Sequence, residues 1–371
     1  MQRREFLITL GAGLLLAPRL GWGRPSGTRS PRYFSARKSR DGRYFISGFD
    51  AAGRHLFDAP LPGRGHDVAV HPDGSQIAAV ARRPGTYLVI IDSGSGVIVQ
   101  RLESATGRHF YGHGCYTADG RYFFTTESDV VTGEGKIGVR DVRQGYRQVD
   151  EYPAHGIGPH QLALLSDGRT LVVAIGGILT RPETGRSKLN LDTMSPSLVY
   201  MDADSGELLE QQALAPELHQ NSIRHFAINA RDEVCLAMQY QGALADQPPL
   251  VGLHRRGEAI RLLTAPESVQ RRMRNYCGSV CTDVSGRWFA VSAPKGNLVT
   301  FWSASEARYV ASVEVADGCG IASADDKGEF LLSSGGGGVY RYRLGTAGLQ
   351  PLGRIAELPG HWDNHIGRGV S

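Results

Sequence analysis

Apolar runs of five or six residues, too short for helices and lacking a 3.6-residue stripe, alternate along this chain with turns built on Asp-Gly or Ser-Gly. Asp67-Val68-Ala69-Val70 leads through His71-Pro72-Asp73-Gly74 into a second run over residues 76–80. A third run over residues 87–92 ends in Ser93-Gly94-Ser95-Gly96, and Val97-Ile98-Val99 follows. Runs of this length bounded by turn residues read as β-strands. The same order returns around Asp119, Asp167, Asp232, Ser285 and Lys327, at spacings of 46, 48, 65, 53 and 42 residues from Asp73 onward. Four strands in about 40–45 residues is the period of a β-propeller blade, and the longer spacings then carry insertions. Those insertions fall at residues 176–196 and 240–249.

Six units carry their own first strand. A seventh can be assembled from the two ends of the chain. Residues 43–47 and 54–57, after Asp41-Gly42, supply strands, and residues 362–366 supply a first strand that lacks a sequel. Pairing these closes the ring and hides both exposed edges. The expected fold is all-β: one seven-bladed β-propeller domain over residues 32–371, closed by pairing N-terminal strands with the C-terminal strand. At most a short helix is expected, over residues 265–274.

Composition narrows the class. Of 371 residues, 41% are hydrophobic and 48 are Gly, which suits many short strands and turns and excludes a disordered, collagen-like or coiled-coil chain. A formal charge of +4 is too small and too dispersed to predict nucleic-acid binding. Residues 1–23 read as an export signal. Arg3-Arg4 precedes Glu5-Phe6-Leu7 and an apolar stretch to Ala17, which is shorter than the roughly 20 residues a membrane helix needs. The paired arginines resemble the twin-arginine signal, so the mature protein is expected in the periplasm without a transmembrane anchor. In that oxidising compartment the five cysteines, Cys115, Cys235, Cys277, Cys281 and Cys319, cannot all pair. Cys277 and Cys281 are four apart in a stretch read as strand, roughly 13 Å, too far for a disulfide.

The candidate chemistry lies in the histidines. His66, His160 and His225 each stand seven residues before the turn residues Asp73, Asp167 and Asp232, and His113 stands six before Asp119. His365 opens the unpaired C-terminal strand. In the other two units Cys277 and Cys319 stand eight before Ser285 and Lys327. The first strand of a propeller blade is the innermost, so five imidazoles and two thiols are expected near one axial opening. Imidazole and thiolate suit Fe, Cu or Zn. The competing interpretation is that each polar side chain only hydrogen-bonds the neighbouring blade. Glu127 and Asp129, before the turn Gly133-Glu134-Gly135, are a secondary candidate for a cation or a general base. Arg224 and Lys295 are candidates to bring positive charge to the same face. No G-x-S-x-G elbow, H-E-x-x-H, Walker loop, dinucleotide fingerprint or C-x-x-C-H occurs. The run Gly335–Gly338 has no P-loop Lys after it and is expected to relieve crowding between strands.

Several motifs stand in a fixed order after the arginine signal: Gly112-His113-Gly114, Gly156-Ile157-Gly158-Pro159-His160 and Gly176-Gly177-Ile178. Pro182-Glu183-Thr184-Gly185-Arg186, Leu189-Asn190-Leu191-Asp192-Thr193-Met194 and Leu358-Pro359-Gly360-His361-Trp362-Asp363-Asn364-His365 complete the set. Together they resemble the exported bacterial family called domain of unknown function 1513. That resemblance implies a WD-repeat-type propeller. It also implies partners among periplasmic iron-uptake proteins, because the family's genes lie beside imelysin-type proteins and a di-haem oxidoreductase. Ile175 and Arg181 stand where the family pattern has Asn and His. The leading expectation is a non-enzymatic periplasmic propeller whose His-lined mouth binds a metal or a metal-bearing partner in iron acquisition. The alternatives are a metal-assisted hydrolase, lactonase or lyase at the same mouth, with Glu127 or a histidine as base, and a pure interaction scaffold.

Overall fold

Within a blade built in chain order, a short polar turn reverses the chain between the innermost strand and the next. In the computed structural model, which describes residues 32–369, Asp73 accepts from the Ser75 amide at 2.8 Å and Asp167 from the Arg169 and Thr170 amides at 2.9 and 2.8 Å. The next residues, Gly74 and Gly168, take φ of +74° and +65°, a conformation that costs glycine nothing. These turns join strands into seven four-stranded antiparallel sheets. The export-signal segment over residues 1–23 lies outside the described residues.

Blade two runs outward through Gly65–Val70, Gln76–Ala81, Tyr87–Asp92 and Ile98–Glu103. The innermost strands of blades three to seven are Arg108–Tyr116, Pro159–Leu164, Asn221–Ile228, Ser279–Thr282 and Gly318–Ser323. Blade one takes its innermost strand, His361–Gly369, from the C-terminal end and its other three, Arg32–Lys38, Tyr44–Asp50 and His55–Leu61, from the N-terminal side. The ring therefore closes through the pairing of His361–Gly369 with Arg32–Lys38. The middle strands are buried on both faces and read as unbroken apolar runs, such as Gln76–Ala81 and Thr170–Ile175. The outermost strands, such as Ile98–Glu103, alternate half-buried with exposed positions because one face meets solvent. Aromatic and aliphatic side chains fill the wedges between blades, with Phe34, Ile77, Phe110 and Phe123 among those buried between blades one, two and three.

Insertions and helix occur where expected. The only α-helix among the described residues is Glu267–Arg272. Residues 176–196 carry two short 3₁₀ turns, Pro182–Thr184 and Leu191–Thr193. The four-glycine run makes the hairpin between Glu329–Ser334 and Val339–Arg343, where Gly337 and Gly338 have φ of +108° and +96°. All five cysteines are free. No helix of the described residues is long and apolar enough to cross a membrane.

Candidate functional site

The innermost strands do not pair evenly with their neighbours. The register shifts between Gly65 and Val68 in blade two, Phe110 and Gly114 in blade three, and Pro159 and Leu162 in blade four. It shifts again between Ile223 and His225 in blade five, and between Trp362 and Ile366 in the closing strand of blade one. A β-bulge adds a residue and re-aims its side chain. Each of these five bulges contains or adjoins a histidine, His66, His113, His160, His225 and His365 in turn, whereas the bulge between Gly318 and Ile321 in blade seven contains Cys319. In blade five the left-handed turn position is filled by Asp232 itself, with φ of +57°, where blade two has Gly74. His225 is therefore in step with His113 rather than with His66 and His160, and the bulges absorb the one-residue difference.

The five imidazoles come together on the axis. In nine of the ten pairs the ring centroids lie 4.6 to 6.2 Å apart, and no ring is more than 8% exposed. Two overlapping triads, His66–His113–His160 and His66–His225–His365, hold ring nitrogens within 4.8 Å of one another, close enough to take a metal ion.

Two carboxylates set tautomers. His66 Nδ1 lies 3.2 Å from Asp363 Oδ1, and His113 Nδ1 lies 3.0 Å from Asp67 Oδ2. A carboxylate only accepts, so in each ring Nδ1 carries the proton and Nε2 keeps its lone pair. The neighbouring imidazoles, and for Asp363 also Arg82 and Arg64, hold Asp67 and Asp363 far below the ordinary carboxylate range despite burial, which pushes the other way. Burial drives His66, His160 and His225 well below the usual imidazole value and His365 to about 4, and the close packing of imidazoles adds to this. All four are neutral at pH 7.

Other side chains hold the blades to each other at this level. Thr126 Oγ1 donates to the His160 carbonyl at 3.0 Å, Ser292 Oγ to the Cys319 carbonyl at 2.8 Å, and Gln161 Nε2 to the Phe226 carbonyl at 2.8 Å. Three imidazoles also bond across blades, His66 to Asp363, His113 to Asp67 and His365 to Ser279 at 3.5 Å, yet ring nitrogens remain unused. His113 Nε2, His160 Nδ1, His225 Nδ1 and His365 Nε2 are buried without a hydrogen-bond partner.

Beside the cluster opens a cavity of about 460 Å³ whose wall includes His66, His160 and His225. Arg82 and Arg83 enter it beyond the strand Gln76–Ala81, Arg186 and Lys188 from the 176–196 insertion, and Arg224 from an innermost strand. Arg274 follows the helix Glu267–Arg272, Lys295 comes from blade six, and Tyr240, Gln241 and Leu244 come from the second insertion. Arg224 and Lys295, flagged in the sequence, thus share this wall, as does Arg186 of the Pro182–Arg186 motif; Arg82, Arg83, Lys188 and Arg274 carried no signal there beyond the polarity of their loops.

The other candidates sit elsewhere. Glu127 is fully buried within blade three, bound to Thr125 Oγ1 at 2.6 Å and Arg140 Nη2 at 3.1 Å. Asp129 pairs with Arg108 at 2.6 Å and accepts from the Val131 and Thr132 amides at 2.8 Å. Neither lines the cavity or joins the triads. Cys277 lies in the core between blades five and six, and Cys319 lies 3.5 Å from the Trp362 carbonyl, where burial pushes each thiol up to about 12. Both stand outside the imidazole triads. Ile175 is buried in blade four, and Arg181 donates to the Val130 and Val131 carbonyls, so the two departures from the family pattern do not touch the cavity.

A seven-bladed propeller with a buried imidazole cluster at its axis is the class these observations define. The family model described as "Protein of unknown function (DUF1513)" matches residues 59–369, and the chain belongs to that family. Its fold is similar to that of a solved structure titled Kuenenia stuttgartiensis Hydrazine Synthase, with 15% identity, a TM-score of 0.63, and coverage of 88% of this chain and 99% of that one. That likeness concerns the fold alone. No curated protein matches the chain in sequence.

Proposed function

We propose that this protein binds one transition-metal ion through its axial imidazoles, as a non-enzymatic component of iron handling in the periplasm, reached by twin-arginine export. The observation that carries the metal reading is the set of four buried imidazole nitrogens without a hydrogen bond, because a buried polar atom left unpaired costs roughly 1–3 kcal/mol. A ligand that accepts several lone pairs at once removes that cost. Neutral imidazoles, with Asp363 and Asp67 orienting two of the five rings, are the donor set expected for Fe(II), Cu(II) or Zn(II). The place in iron acquisition, with imelysin-type and di-haem partners, is supported by the family resemblance and by iron being within that donor preference. A metal-assisted hydrolase is supported less, since Glu127 is bound to Arg140 and an imidazole would have to be the base.

The test is metal analysis of untagged protein purified from the periplasm, beside a His66→Ala, His160→Ala, His225→Ala variant. The expected result is near-stoichiometric metal in the wild type, lost in a variant whose near-ultraviolet circular dichroism is unchanged. If the triple variant unfolds, the single His225→Asn variant is expected to weaken uptake while keeping the fold. Absence of metal after incubation with iron, copper and zinc would overturn the proposal.

A further inference from the structure

Charge in the axial cavity is one-sided. Seven arginine and lysine side chains line about 460 Å³, and no aspartate or glutamate is among the lining residues. Asp363, adjacent to that wall, is already engaged by Arg64 Nε at 2.5 Å, Arg82 Nη1 at 3.5 Å and His66. Six buried polar atoms of wall residues have no hydrogen-bond partner: Arg82 Nη1, Tyr111 Oη, His160 Nδ1, Arg224 Nε, His225 Nδ1 and Asn275 Oδ1, with Arg224 8% exposed and Tyr111 3%. Guanidinium groups cannot give up their proton at neutral pH, so like charges gathered in a half-enclosed space repel until an anion neutralises them.

The volume discriminates among anions. Cavities of 300–1,000 Å³ suit small organic ligands, and an inorganic ion would leave most of these cations unpaired. The forked geometry of arginine selects carboxylate or phosphate oxygens, two at a time. Tyr111 and Tyr276, with Arg83 and Lys295 seated over their rings at 5.6 and 4.6 Å, give the same wall flat apolar surface. We infer that the cavity is a binding site for a small organic polyanion bearing two or more carboxylate or phosphate groups, held by Arg83, Arg186 and Arg224 beside the imidazole cluster. The site stands on the cavity's own residues and does not depend on the imidazoles holding a metal.

The experiment is calorimetric titration of protein stripped of metal on a chelating resin, because a soluble polycarboxylate chelator would itself compete for the site. Citrate and pyrophosphate serve as polyanions, and acetate and inorganic phosphate as small controls, all at low ionic strength. At least one of the two polyanions is expected to bind about tenfold or more tighter than both controls, and the better of the two identifies carboxylate or phosphate as the preferred group. An Arg83→Gln, Arg224→Gln variant is expected to lose about tenfold or more of that affinity. If that variant does not fold, Arg186→Gln with Lys188→Gln, both on the inserted loop, takes its place. Polyanions binding no tighter than acetate, or a folded variant of unchanged affinity, would overturn the inference. Since no metal is present in the titration, its failure leaves the metal-binding proposal to its own test.

Discussion

Asp67 of blade two accepts the Nδ1 proton of His113 from blade three at 3.0 Å, so one blade fixes the tautomer of its neighbour's imidazole. Asp363 of blade one does the same for His66 of blade two at 3.2 Å. Asp67 directly follows His66 in the chain, so the two pairs form a stepped relay along three consecutive blades. In both, the carboxylate leaves Nε2 as the electron-pair donor.

Removing that charge should weaken metal binding without emptying the core. Asp67→Asn and Asp363→Asn each keep an acceptor oxygen but lose the negative charge that raises imidazole basicity. Each is expected to cost about 10- to 100-fold in metal affinity, read by competition with a metal indicator. Affinity unchanged in both variants would show that the carboxylates only hold blades together.

Gly112 carries a related constraint. It sits at φ of +104° in the bulge of blade three, where a β-carbon would fall 2.7 Å from His66 Cδ2. Gly112→Ala should displace the His66 ring and strain the backbone. The expected outcome is a clear loss of metal affinity accompanied by a lower melting temperature; full uptake by this variant would exclude His66 from the ligand set.

Acidification should unfold the metal-free protein earlier than its carboxylates alone would. The unfolded chain takes up imidazole protons near pH 6.5, whereas His66, His160 and His225 resist protonation in the fold and His365 holds out to about pH 4. The stability these neutral rings contribute is complete above about pH 6.5 and is lost as the pH falls from there toward 4. From His365 alone the loss across that window is on the order of 3 kcal/mol. Melting temperature against pH should slope downward below 6.5, and His365→Asn should flatten part of the slope. A flat profile from pH 7 to 5 would contradict the burial argument.

Glu127 offers a control. Arg140→Met leaves its carboxylate buried without a charge partner, which typically costs about 3–5 kcal/mol. Denaturant midpoints should fall accordingly while metal content per folded molecule stays unchanged. A selective loss of metal would return Glu127 to the candidate ligands.

The blades were legible in the sequence because their pairing is local. Each strand reverses at an Asp-Gly or Ser-Gly turn and pairs with its successor, so alternation and turn residues suffice to mark six units, and the stranded residues 362–366 point to the seventh. One strand escaped this reading. Arg32–Lys38 precedes the Asp41-Gly42 turn without the apolar run that marks the other strands, and it pairs with His361–Gly369 from the far end of the chain. The repeated histidine position was legible too, though the count to Asp232 placed His225 one residue out of step.

Tertiary structure decided what those residues do. Bulges turn five imidazoles to the axis, and no local pattern marks a bulge, because it arises from fitting innermost strands round a closed ring. Glu127 and Asp129 looked like a pair at a loop. Glu127 instead extends into blade three beside Arg140, and Asp129 is held at the strand end by Arg108. The cationic cavity was the least visible feature. Its arginines and lysines lie between residues 82 and 295, six in loops and turns and Arg224 on an innermost strand, and only ring closure brings them to one opening. Hydrophobic periodicity is a short-range property and fixes the strands, whereas charge convergence is long-range and exists only once the ring has closed.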